Sequence, residues 1–185
     1  MGKVGKLAVV FGLFFANMSF AHNVKLNQVL PAVSVAKDGE LVLQSGKIAY
    51  KNWSSSSVAG KVRVVLHLAA RSSVKKKNAA LIDALKSTNF DPTKYQTLTI
   101  VNGDDAIFGT GLFVKSNVED GKLENPRSQV VLDQQGNVRK VWGLKEQESF
   151  IAVLDKSGKV QFTSEGKLSS SQIQEVLGLV KKLVE

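Results

Sequence analysis

The feature that most constrains this fold is the run Val62-Arg63-Val64-Val65-Leu66-His67-Leu68-Ala69-Ala70, introduced by Gly60-Lys61. Its nearly continuous apolar character suits a strand buried on both faces of a sheet. A polar turn at Arg71-Ser72-Ser73 follows. Ala79, Leu81, Ile82 and Leu85 then recur at helical spacing within Asn78 to Leu85, and Pro92 stops the pattern. Gln96 to Val101 reads as the next strand and ends at Asn102-Gly103-Asp104-Asp105. Strand, helix and strand with a long crossover predict a right-handed parallel unit and an α/β class.

The segments around this unit are shorter. Asn23 to Lys61 is rich in turns, at Pro31, Asp38-Gly39, Ser45-Gly46 and Ser54 to Ser57, and predicts one or two β-hairpins as an N-terminal extension over 22–60. The main domain then runs over 61–185, with 22–185 as one globular unit; hydrophobic residues make up 43% of the chain, enough for a buried core. Leu112, Phe113 and Val118 suggest a short helix within Gly109 to Glu124. Ser128 to Asp133 is a strand candidate, followed by a turn at Gln135-Gly136-Asn137 and the segment Val138 to Leu144. Phe150 to Leu154 and Lys159 to Thr163 flank the turn Asp155 to Gly158 and predict a hairpin. Ile173, Val176, Leu177, Val180, Leu183 and Val184 form one helical stripe, and Ser169 with Gln172 fits a capping box.

The first 21 residues stand apart. Lys3 and Lys6 precede an apolar run from Leu7 to Phe15, and Ser19-Phe20-Ala21 closes a polar stretch. This layout predicts a signal peptide cleaved after Ala21, with a mature start at His22 and 164 residues remaining. A membrane anchor is the alternative, but the uncharged run, roughly 14 residues, falls short of the ~20 that span a bilayer. The expected product is exported and is not an integral membrane protein.

Cysteine is absent, so thiol-disulfide exchange and thiol peroxidase chemistry are excluded, and packing alone must hold the fold. The formal charge of +9 falls by two, to +7, without Lys3 and Lys6. Such a balance favours an anionic ligand or an acidic protein partner, or serves solubility alone. A DNA-binding regulator is suggested only by the charge, and an exported chain does not meet the chromosome, so no nucleic acid is expected.

Gly60-Lys61, the buried strand and the polar turn opening a helix resemble the thioredoxin-like proteins of the periplasmic thiol-oxidoreductase and peroxiredoxin type. Val130-Val131-Leu132-Asp133 through Leu144, and Ala152 to Lys159, resemble the second half of that fold. More narrowly, Gly60 to Val64, Arg71 to Asn78, Tyr95-Gln96-Thr97 and Thr99 to Ala106 resemble the YtfJ family of Gram-negative periplasmic proteins. That resemblance implies a thioredoxin-like mixed sheet flanked by helices and a periplasmic location, and it supplies no reaction. Thiol-active relatives open the helix with a Cys-x-x-Cys pair, where Ser73 and Lys76 stand here, to within one residue. They also carry a cis-proline before the strand that becomes Phe150 to Leu154, where Glu148 or Ser149 stands. Loss of both features implies a changed role.

Several constellations remain. Ser72-x-x-Lys75 and Ser73-x-x-Lys76 match the spacing that places a lysine base one turn from a nucleophilic serine, and define a hydrolase or transferase reading. The partner motifs of such enzymes are missing, and Ser72 or Ser73 also reads as an ordinary N-cap. Arg71, Ser72, Ser73, Lys77 and Asn78 form the binding reading, an anion site at the helix start. His67 reads as an acid or base beneath that corner, or as a buried histidine bonded to backbone. Asp104 and Asp105 follow a parallel strand at its carboxyl end, where ligands bind in open α/β sheets, and equally cap a turn. A mature N-terminal His22 can chelate copper, yet no cluster of ligands accompanies it; neither a metal nor a cofactor is expected.

Overall fold

The structure, a computed structural model, describes residues 22–185. The expected signal segment and its cleavage site at Ala21 lie outside the described residues.

Seven strands form one mixed sheet: β1 (Ser34–Gln44), β2 (Lys47–Ser54), β3 (Val62–Ala69), β4 (Tyr95–Asn102), β5 (Gln129–Asp133), β6 (Ser149–Leu154) and β7 (Val160–Glu165). Their order is β2-β1-β5-β4-β3-β6-β7. β3, β4 and β5 are parallel, and every other pairing is antiparallel. The strand read first in the sequence is central, and all eight of its residues are buried. Among the described residues the α-helices are α1 (Ser72–Lys77), α2 (Ala79–Thr88), α3 (Gly111–Glu124), α4 (Asn137–Trp142) and α5 (Ser170–Val184).

Two expected segments resolve differently. The helix expected over Asn78 to Leu85 is α2, running on to Thr88, and a separate short helix, α1, precedes it; Asn78 leaves helical geometry between the two while its side-chain amide bonds the Val74 carbonyl at 2.9 Å. The short helix expected within Gly109 to Glu124 runs for 14 residues as α3. The Val138 to Leu144 segment is a helix, α4, closed at each end by a glycine at positive φ, Gly136 and Gly143.

The N-terminal extension is built into the sheet. β1 and β2 form a hairpin, and β1 adds antiparallel to β5. Residues preceding the hairpin strap one face: Val24, Leu30 and Val33 join Trp53, Val65, Leu98, Ile100, Trp142 and Phe150 in one core. The strap is pinned by the Trp142 indole donating to the Pro31 carbonyl at 3.0 Å, and by the Asn23 N–H donating to the Trp142 carbonyl at 2.7 Å.

Alternation along the strands assigns the other face. α1, α2 and α5 cover β3 and β6 there through Val64, Leu66, Leu81, Val176 and Val180. α3 covers β5 and β1 through Val118, Leu132, Val130 and Leu41. β4 lies between these two covers. Its residues on this face are Thr97, Thr99 and Val101, all only half-buried, whereas Leu98 and Ile100 on the strapped face are fully buried. Two short threonines give neither set of helices an apolar surface to close over, so the sheet stays open along β4.

Candidate functional site

The open stretch of β4 is a trough between α1–α2 and α3. It widens into two connected hollows, one of about 740 Å³ toward Lys61 and Arg127 and one of about 430 Å³ toward Arg71 and Val114. Lys75, Ile82 and Gly121 border both. The floor is Thr97 and Thr99, with Leu68 and Val101 toward the Arg71 end. The rim carries Lys61, Lys75, Lys86, Arg127 and Arg71 against one carboxylate, Glu124. Cations around a partly apolar floor, with hydroxyls along it, suit an extended anionic ligand with some apolar character.

Part of the predicted corner opens onto this trough. Arg71, Ser72 and Lys75 line its smaller hollow, at the carboxyl end of β3. Arg71, rather than Ser72 or Ser73, occupies the N-cap position of α1, with no side-chain cap. Its extended φ of −132° keeps it outside the helix and frees both serines to occupy the first turn. Ser72, Ser73, Lys75 and Lys76 are exposed; among the described residues no hydrogen bond joins either serine to either lysine. Lys77 turns to Glu148, at 3.1 Å, across the place where related folds carry their cis-proline; no cis peptide occurs among the described residues. Ser149 is buried and donates to the Gly166 carbonyl at 3.1 Å. Asn78 is buried between α1 and α2, its amide on the Val74 carbonyl, and lines neither hollow.

The acidic pair is committed to the protein. Asp105 is buried; its carboxylate accepts from the Asn102 amide at 2.8 Å and the Gln147 N–H at 3.0 Å. Its carbonyl accepts from Arg71 Nε at 2.8 Å, which fixes the guanidinium at the trough's end. Asp104 accepts from Arg139 at 3.1 Å, with Lys140 at 3.5 Å, and the Arg139 hydrogen bond, with both cations, holds its carboxyl below the ordinary range. Gly136 packs so close that an added Cβ would lie 2.8 Å from Asp104 Oδ2. The pair therefore braces its own loop, and that loop's Asp105 carbonyl holds Arg71. Among the described residues no group of three or more His, Asp or Glu side chains converges to hold a metal ion.

His67 lies across the sheet from the trough, on the strapped face, because it alternates with Leu66 and Leu68. It is buried, and among the described residues neither ring nitrogen bonds another residue; only its own backbone favours the charged form, and weakly. Burial, aided by the positive charge of Arg139, pushes its pKa down to about 4. The ring is therefore neutral and apolar in role at neutral pH. His22 packs edge-on against Phe150 with ring centroids 4.9 Å apart.

Sequence reasoning missed Lys61, Lys86 and Arg127, which reach the trough from three separate segments. One signal was present: Thr97-Leu98-Thr99-Ile100 alternates polar and apolar in a strand that lies inside the sheet, which marks one wet face.

Comparison with known proteins places this architecture. The family described as "Bacterial protein of unknown function (YtfJ_HI0045)" matches residues 24–183. An uncharacterized protein of Haemophilus influenzae is 51% identical over 179 residues, covering 97% of each chain. The uncharacterized protein YtfJ of Escherichia coli is 42% identical over 180 residues, covering 97% of this chain and 98% of its own. The thioredoxin domain of a thiol-disulfide oxidoreductase from Bacteroides vulgatus superposes with a TM-score of 0.56 at 16% identity, over 88% of this chain and 99% of that one. That last likeness carries the fold alone, with this chain lacking every cysteine. On the span of the family match and the two full-length relatives, the chain belongs to the YtfJ family, on a thioredoxin-like fold.

Proposed function

We propose that this protein is an exported, non-redox binding protein of the periplasm that holds an extended anionic ligand in the trough along β4. The observation that carries the reading is the uncovered face of a central strand, rimmed by Lys61, Lys75, Lys86, Arg127 and Arg71 with Glu124 as the one carboxylate. Lys75, Lys86 and Arg127 are exposed, while Lys61 and Arg71 are held by the Pro92 and Asp105 carbonyls. Together they line one concave path, which concentrates an anionic ligand as scattered charges do not. The apolar run and small residues ahead of His22 support export.

The test is thermal shift of the chain beginning at His22 against inorganic polyphosphate and short poly-glutamate, because a ligand that binds only the folded state raises the melting temperature. The expected result is a rise in Tm with at least one probe, and its loss in the double variant Lys75→Gln/Arg127→Gln, with the unliganded Tm within a degree or two of the parent. Shifts that survive the double variant would move binding elsewhere, and an unshifted parent would overturn the reading. Export is checked separately by fractionating cells for a product starting at His22. A hydrolase using Ser72 or Ser73 gains no support from the geometry, and a serine-reactive phosphonate is expected to leave the protein unlabelled.

A further inference from the structure

Beside the trough's Arg71 end, four large apolar side chains stand in solvent. Ile107 is 60% exposed, Leu112 85% and Phe113 73%, and Phe108 is fully clear of the protein. They fall within seven residues, on the loop between the carboxyl end of β4 and the first turn of α3, where Gly109 at φ +83° bends the chain. Single exposed apolar residues are normal on a protein surface, whereas a clustered set marks a contact site.

Two observations fix this cluster beside the trough. Arg71, which lines the smaller hollow, donates to the carbonyl of Asp105, two residues before Ile107. Phe113 stands one helical turn before Asn117, which lines the same hollow from α3.

We propose that the Ile107–Phe113 prow inserts into the interface of an anionic phospholipid bilayer and brings the trough's mouth to the membrane surface. Shape argues for lipid. The side chains project from a tight bend, and Phe108 touches nothing around it, which suits a soft interface that closes about each side chain. A protein partner would require a fitted hollow for the same prow, with packing like an interior. Charge argues for anionic lipid. The chain from His22 carries +7. Arg71 is bonded at the foot of the loop, to the Asp105 carbonyl, while the two carboxylates that precede the prow in the chain are occupied, Asp104 by Arg139 and Lys140 and Asp105 by Asn102 and Gln147. Attachment would be peripheral, since no helix among the described residues is long and apolar enough to cross a membrane. The proposal stands apart from the anionic-ligand reading, because the prow lies outside the residues that line the trough.

Residues 22–185 carry the seven-stranded sheet and the three apolar cores described above, so the chain beginning at His22 is the protein to test. It is floated with vesicles of phosphatidylglycerol and phosphatidylethanolamine, and with vesicles of phosphatidylcholine alone. We expect co-flotation with the anionic vesicles, at least tenfold weaker binding to phosphatidylcholine, and at least tenfold weaker anionic binding in Phe108→Ser/Leu112→Ser, about what withdrawing two large apolar side chains from the interface removes. The double variant should melt as the parent does, since neither side chain is packed. A parent that stays with the pellet, or a double variant that floats like the parent, overturns the proposal. A photo-reactive residue at position 108 reads out a protein partner: in cells, protein adducts in place of lipid adducts would likewise overturn it.

Discussion

At the residue scale, the buried polar groups separate anchors from passengers. Arg63 is an anchor. Its guanidinium donates to the Val58 carbonyl at 2.6 Å and to the Gln129 and Gln96 side chains, and burial lowers its pKa. Arg63→Met would strand three acceptors and is expected to cost about 2–4 kcal/mol in a denaturant titration. His67 is a passenger. With no other residue bonding either nitrogen, His67→Leu is expected to stabilise the protein by about 1–2 kcal/mol at pH 7. A loss of stability instead would reveal a partner for the ring. The pH dependence has a definite sign. The folded pKa of about 4 lies below the ordinary 6.5, so the unfolded chain takes up the proton first. The parent therefore loses stability as pH falls from about 6.5 to about 4, by about 3 kcal/mol in all. Subtracting the His67→Leu profile removes the carboxylates, which titrate in both proteins, and should leave this fall. The run Val62 to Ala70 showed that both residues are buried, but not their fates. Arg63 meets Gln96 and Gln129, far along the chain, while no other residue bonds the His67 ring and the charge of Arg139 opposes its protonation.

At the element scale, local signals and outcomes agree where an element's own residues decide it. α5 begins with Ser169 accepting from the Gln172 N–H while the Gln172 side chain accepts from the Ser169 N–H, the reciprocal box read from sequence. Ser169→Ala is expected to cost about 1 kcal/mol, and thermal unfolding monitored by circular dichroism would check it as a Tm lowered by a few degrees. α3 is the opposite case. Its outward face carries Leu112 and Leu123, while its inward contacts with β5 are few residues such as Val118, so periodicity alone marks it poorly. Helix α4 is equally quiet in the sequence, because Val138 and Trp142 are its buried residues and the glycines at each end fix its length.

At the scale of the whole molecule, the N-terminal strap completes a core that the main domain cannot close alone. Val24, Leu30 and Val33 each remove roughly 1.5–3 kcal/mol worth of apolar surface from water. Deleting residues 22–33 is expected to lower Tm by more than about 10 °C and to shift Trp142 fluorescence to the red; an unchanged melt would show that the strap is idle. The sequence by itself determined the central strand, the parallel crossover, the C-terminal hairpin, the capped last helix and the absence of thiol chemistry, because each depends on residues close together in the chain or on composition. Only the tertiary structure decided that β4 lies between two helical covers that do not meet, that five cations from distant segments share its open face, and that Asp104 and Asp105 brace a loop. Those outcomes depend on strand order and on which face each helix covers. Long-range packing sets both, and local periodicity does not encode them.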